Sequence, residues 1–488
     1  MLRTRDRTKR LASIKNSKLK IQNSAKNSPS ASGNRSDLWE HWKQLCVQVV
    51  FLGVISGAIA LSYSSAKMGL QAIVNPDASL WLPAYLPAWA RIPVSHEATP
   101  QTLPDLRRSL QAQGFAVGEA VPLVATGDSR QPDIALPLFP DPDTCSRTCQ
   151  NLLEVRVYQA VAPANAPQPS RTYFRQVERV EVEGPAESFA IAPLANHLSG
   201  RAGSNRPLPL KALQRFSGEV PNDGGVWLNL VGDRTEGQTH LVYGQIYRYH
   251  PQRQHLGQML QWTSPEGQLP GWQNLTGDGD LELLVDRSVG LEPDFEIYQL
   301  RSRDFLPNPV RLSAVSLAEP IIEDRAYKDA LLLARRRLWS PAFDTMQAVI
   351  DSYDRNGRSF PMAARAQFDV IQLHAQVADA QAGASRASPA QQVLADLIDG
   401  RWKEALEAFE AADDRTEIVE LLRSDSGRLR QRIETALRID PYNFEALVWE
   451  MLVVTAQSDR ASALEQLEKR TDVPTEWKAS LRQWIEAL

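Results

Sequence analysis

The rhythm of apolar and polar positions changes several times along the 488 residues. From Leu45 to Tyr63 the chain reads LCVQVVFLGVISGAIALSY, nineteen residues without a charge. That is close to the roughly 20 apolar residues a helix needs to cross a ~30 Å hydrocarbon core. Trp39, Trp42 and Tyr63 flank the run, where interfacial aromatics belong. The pattern predicts a transmembrane helix over 44–64. Pro76, Pro83, Pro87, Pro93 and Pro100 then forbid a long helix and mark a Pro/Trp-rich linker over 65–102. A short amphipathic helix is expected from Leu103 to Gln113, ended by Gly114. Beyond it the period becomes two: Leu153, Val155 and Val157 alternate with Glu154, Arg156 and Tyr158, as in a half-buried strand. Further strands are predicted at Tyr173–Val182, Val226–Val231, His240–Tyr249, Gln258–Trp262, Leu281–Asp286 and Phe295–Leu300, separated by turn-rich stretches such as Pro221-Asn222-Asp223-Gly224-Gly225. From about residue 323 the period is helical. The expected fold class is α+β: a single N-terminal transmembrane helix, a mainly antiparallel β domain over 103–320, and a helical-hairpin domain over 321–488.

Charge gives this plan a direction. Residues 1–43 hold eleven basic and three acidic side chains, a surplus of +8 against −4 for the whole chain, which leaves −12 on the rest. Few apolar residues occur in residues 1–36, so a disordered cytoplasmic tail is expected. Basic flanks stay inside, which sends residues beyond 64 to a periplasmic, lumenal or otherwise extracytoplasmic side in a single pass. The leader is long for a signal peptide, and no small-x-small cleavage site follows the apolar run, which favours an uncleaved anchor. The tail suits anionic lipid heads. It has no aromatic residue before Trp39 to stack on bases, so nucleic acid is not expected as a partner. Gly53 and Gly57 form a GxxxG pair that would let two such helices form a homodimer, although glycine is also simply common in membrane helices. Cys145 and Cys149 either close a small disulfide on an oxidising side or stand as two thiols flanking a turn.

The segment Gly400-Arg401-Trp402-Lys403-Glu404-Ala405-Leu406-Glu407-Ala408-Phe409-Glu410-Ala411-Ala412 resembles the middle of a tetratricopeptide repeat, with Gly400, Trp402, Ala405, Phe409 and Ala412 at the family's spacing. Ala436–Leu447, around Asp440-Pro441, resembles a repeat end and the next start, and Trp339-Ser340-Pro341-Ala342 is a weaker echo. The 34-residue period is imperfect, so a tetratricopeptide-like stack of irregular hairpins is expected, and that resemblance implies protein partners bound through the helical region.

One segment carries candidate chemistry. Asn274-Leu275-Thr276-Gly277-Asp278-Gly279-Asp280-Leu281-Glu282-Leu283 resembles the calcium loop of FG-GAP and VCBS propeller repeats. The resemblance implies a Ca²⁺ ion held by oxygens of Asn274, Thr276, Asp278 and Glu282, with Gly277 and Gly279 permitting the tight turn. Asn and Thr stand where the family has charged or shorter ligands, and only one loop occurs, so weak binding is the expectation. An Asp-Gly hairpin turn without metal suits the same residues.

GxSxG, HExxH, GxxxxGK[ST] and a strand–GxGxxG–helix are all missing, and the seven histidines are scattered. His250 and His255 read as a solvated turn. WQNLTGDGDLELLVD followed by GLEPDFEIYQL is similar to cyanobacterial single-span membrane-anchored proteins. The expected function is a non-enzymatic membrane-anchored scaffold or adaptor that binds other proteins. An exported hydrolase of wall or polysaccharide, and a calcium-dependent adhesion or sensing module, are the alternatives. Two convergent carboxylates in a deep β cleft would favour the enzyme; a groove on the helical stack would favour the adaptor.

Overall fold

The computed structural model describes residues 99–124, 131–143, 150–162, 171–195, 203–236, 239–277, 279–303, 308–384 and 388–488. The basic tail, the apolar run with Gly53 and Gly57, the linker up to residue 98, and Cys145 and Cys149 lie outside them. The expected fold class is corrected here. Among the described residues no helix is long and apolar enough to cross a membrane. The longest, Met362–Gly383, has 22 residues but carries Arg365, Asp369, His374 and Asp379. The more apolar Phe444–Gln457 has only 14, well short of a bilayer core. The observed architecture is antiparallel sheets followed by helices.

The sheets form stacked layers. The first contains β1 (Gln101–Thr102), β2 (Phe115–Val117), β3 (Val121–Pro122), β4 (Ile134–Pro140), β5 (Glu154–Val161) and β6 (Tyr173–Glu181), in the order β1-β6-β5-β4-β2 with β3 also on β4. Its outer face, Ile134, Leu136, Leu138, Tyr158 and Ala160, packs on Leu106 and Leu110 of α1 (Leu103–Ala112). The inner face, Ala135, Val155 and Val157, meets the second sheet at Leu228, Leu230, Tyr243 and Tyr247. That second sheet is β7 (Ala212–Arg215), β8 (Val226–Glu236), β9 (Thr239–His250) and β10 (His255–Ser264). The short α2 (Glu187–Ile191) packs against β10, where Thr263 donates to the Ala190 carbonyl at 2.8 Å. The other face of the second sheet, Trp227, Val242, Ile246 and Trp262, packs on Trp272, Leu283 and Val285 of a third sheet. This third sheet holds β11 (Gly271–Gln273), β12 (Glu282–Asp286), β13 (Phe295–Ser302) and β14 (Val310–Ala314) in sequence order.

Because α1 covers the first sheet, the alternation along β5 does not mark a wet face. Glu154 and Arg156 are both buried and paired at 2.9 Å, with Arg156 over the Phe115 ring. The middle sheet is covered twice, so its polar side chains need internal partners. Trp262 Nε1 donates to Asn229 at 2.9 Å, Gln245 donates to the Glu183 carbonyl at 2.7 Å, and Arg248 donates to Asp223 at 2.7 Å and to Asn308 at 3.2 Å.

The helical region comprises α3 (Arg325–Arg335), α4 (Trp339–Arg355), α5 (Met362–Gly383), α6 (Pro389–Asp399), α7 (Trp402–Ala411), α8 (Thr416–Ser424), α9 (Arg428–Ile439), α10 (Phe444–Gln457), α11 (Arg460–Lys469) and α12 (Thr475–Ala487). Side-chain caps at Asp324, Ser388, Asn443 and Asp459 accept from the backbone and fix four of the starts. The tetratricopeptide-like positions pack as helical-hairpin positions do. Trp402, Ala405, Phe409 and Ala412 are buried, and Trp449 Nε1 on α10 donates to the Trp402 carbonyl at 3.0 Å. The stack is not an open array: α10 touches α7, α8, α9, α11 and α12, and its apolar surface runs all round. Gly400 ends α6 with φ +83°, and a Cβ there would lie 2.7 Å from Leu338 Cδ2.

Two devices join the third sheet to the helices. Glu292, buried beside β13, receives Arg337 at 2.8 Å, Arg432 at 3.4 Å and a contact from Arg428. Burial alone would raise this carboxyl, and the guanidiniums of Arg432, Arg428 and Arg337 more than reverse that, holding it below the usual carboxylate range. Arg337 reaches both Glu292 and Asp294 from a left-handed backbone, φ +62°. Close by, His374 of α5 stacks on Trp339 with centroids 3.9 Å apart. Its Nε2 accepts from the Phe295 N–H at 2.8 Å, and its Nδ1 donates to the Val370 carbonyl at 2.7 Å. Both nitrogens are committed to the neutral ring. Desolvation by burial, the leading cause, lowers its pKa from 6.5 to about 4.

Between those values the unfolded chain binds a proton that the folded chain refuses, so stability rises with pH and is lost on acidification. Urea midpoints at pH 7 and pH 4.5 should show wild type losing about 2–3 kcal/mol more than His374→Gln over that interval. Gly400→Ala, strained and crowded at once, should cost about 1–3 kcal/mol by the same urea measurement.

Candidate functional site

The loop between β11 and β12 is built around Glu282. This carboxylate is 1% exposed, accepts from the Leu275 N–H at 3.0 Å through Oε2, and accepts from the Thr276 hydroxyl at 2.9 Å through Oε1. Asn274 Oδ1 accepts from the Gly277 N–H at 2.8 Å. Gly277 and Gly279 take φ +67° and +96°, the left-handed region that favours glycine. Asn274, Thr276 and Glu282 therefore share one tight turn, and Asp278 lies outside the described residues. The hydrogen bonds seen here already hold the turn shut, with Glu282 as its internal brace. Among the described residues no group of three or more His, Cys, Asp or Glu side chains is placed to hold a metal ion.

His250 and His255 are not on a solvated turn. They are cross-strand partners ending β9 and starting β10, both half-buried, and His255 Nδ1 lies 3.5 Å from Glu178. Burial, with Arg248 and Arg253 nearby, draws His250 below its ordinary value.

Two concavities bear on function. In the β region a cavity of about 810 Å³ opens between β5, the Val220–Gly225 loop and the β9–β10 turn. Among the described residues, Val124, Val220, carboxamides, prolines and glycines line it.

The second, about 590 Å³, lies on the first helical hairpin. Ala326, Ala348 and Val349 belong to its lining on α3 and α4, together with Ile321, Ile322, Tyr353 and Pro361. Gln367 sets one wall by donating to the Glu319 carbonyl at 2.9 Å, so the strand-to-helix connection stays against α5. Ile322 then turns into the core while Ile321 stays 48% exposed. The other wall is stiffened by Arg358, whose guanidinium lies 4.3 Å over the Tyr353 ring, and by the edge-to-face contact of Tyr353 with Phe360. Met362, next to Pro361, is 77% exposed. Glu323, Asp324, Ser352 and Arg358 supply the polar part of the lining. Sequence reasoning passed over this groove. Its one local signal is Ile321-Ile322 just before the Asp324 cap, two β-branched apolar residues where only one can be buried.

Comparisons with known proteins add no family: no protein-family model matches the chain, and no curated protein sequence matches it significantly.

Glu282→Ala would strand the Leu275 and Thr276 donors and should lower stability by about 1–3 kcal/mol, read as a drop in urea midpoint.

Proposed function

We propose that this chain is a non-catalytic scaffold or adaptor, and that the groove on the α3–α4 hairpin docks an apolar segment of a partner protein. One observation carries the reading: exposed Ile321 and Met362 stand beside a preformed, aromatic-walled groove with a polar margin. That combination of apolar centre and polar rim is the anatomy of a protein-binding surface. The exposed Ala326 and Ala348 present little bulk to a partner side chain, and the Arg358–Tyr353 stack holds its place without a partner. Two of the acids near the groove are already committed. Asp324 caps α3 and Glu323 pairs with Lys328, which ties both acids to the hairpin's own structure.

The experiment is affinity capture from extracts of the producing cells, comparing the full-length chain with Ile321→Asp/Met362→Asp. Both positions are exposed, so the melting temperature should not change. Recovery of the specific partners should fall at least about tenfold, the scale of losing a central apolar anchor. Identical recovery by both chains would sink the proposal.

A further inference from the structure

The joint between the third sheet and the helices is largely polar, although the regions on either side of it have apolar cores of their own. The helical core runs from Ile322 to Ile485, and of the described chain before it only Leu291 and Leu317 pack against it. The β region keeps separate cores, between the first and second sheets and between the second and third. The two regions are tied by Arg337 to Glu292 and Asp294, by Arg428 and Arg432 to Glu292, and by the Phe295 N–H to His374. The Phe295 ring lies 5.0 Å from that of His374.

The His374 bond is the one that mild acid reverses. Its Nε2 accepts from Phe295 at 2.8 Å only while the ring is neutral. A protonated ring carries N–H on both nitrogens, so it would turn a donor onto a donor. The charged groups that face the ring are already engaged. Asp294, between β12 and β13, is paired with Arg337 at 2.9 Å, and Asp286 at the end of β12 accepts from the Ser288 N–H at 2.9 Å. Arg337 itself disfavours a second positive charge, α4 presents the Trp339 indole, and α5 offers only the Val370 carbonyl that Nδ1 already uses. Glu292 stays ionised to lower pH, since its three guanidiniums hold it below the usual carboxylate range.

We propose that this joint is an acid-sensitive latch: protonation of His374 frees the helical region from the third sheet while both regions stay folded. Polar interfaces between separately cored parts of one chain are where relative motion is expected. The closed form refuses the proton down to about pH 4. In the open form the ring meets water and takes up the proton near its ordinary 6.5, so acid favours opening across that interval.

The test is hydrogen exchange of the full-length chain, followed by mass spectrometry at pH 7 and pH 4.5 and corrected for the intrinsic effect of pH on amide exchange. Segment 287–297 should exchange about tenfold to a hundredfold faster at pH 4.5, while the β8–β9 and α10 segments keep their protection. His374→Gln keeps an acceptor and cannot titrate, so its joint should show no such rise. Glu292→Gln leaves three guanidiniums without their carboxylate and should open the joint already at pH 7, with both cores protected. Unchanged protection of segment 287–297 in wild type at the lower pH overturns the proposal, as does a rise that His374→Gln shares. So does loss of both cores together with the joint, in acid or in Glu292→Gln, because the two regions would then unfold as one.

Discussion

The middle sheet has apolar side chains on both faces, and the rest of the β region follows from the need to cover it. Val226, Leu228 and Leu230 of β8 point one way, while Trp227 and Val231 point the other. A sheet of that kind cannot be stable facing water on either side. The first sheet covers one face and the third sheet the other. Of the polar groups caught between them, Asn229, Gln245 and Arg248 find partners, while the indole N–H groups of Trp227 and Trp272 are buried without one.

Covering the middle sheet also determines where concavities are left. The sheets seal along their faces and leave gaps at their ends. The amide-lined cavity lies at one such end, beside the β9–β10 turn. The third sheet in turn serves as the platform for the helices, through a buried carboxylate shared by three guanidiniums and a histidine whose two nitrogens are both spoken for. These contacts span long sequence separations, and each depends on groups contributed by both the sheet and the helices.

Much of the plan was legible in the sequence, and the exceptions share a cause. The strands expected at Tyr173–Val182 and Phe295–Leu300 are found at Tyr173–Glu181 and Phe295–Ser302, and the Gly400–Ala412 spacing marked residues that pack as in a helical hairpin. Local pattern failed where a distant element supplied the environment. Glu154 and Arg156 look like a solvent face because nothing near them in sequence announces α1 as a lid. His250 and His255 read as turn residues because cross-strand register is invisible in a linear string. The tight turn of the 274–283 loop was readable from its Asp-Gly step, and in it backbone N–H groups and the Thr276 hydroxyl donate to side-chain oxygens of Asn274 and Glu282. That Glu282 braces the turn from a buried position was not, because its burial comes from the neighbouring strands. The groove on the first hairpin escaped for the same reason: Ile321 and Tyr353 are brought together only by folding.

Helix α10 touches five others, and apolar residues fill most of its circumference, with Glu450 turned to Arg470. In a repeat array each hairpin is a rung, and another rung can be added without disturbing those below. Here α10 is packed among five other helices, and the space around Trp449 and Leu452 is already taken. Length in this family of shapes would therefore change at the margins, in loops and termini, and not by copying a hairpin in the middle.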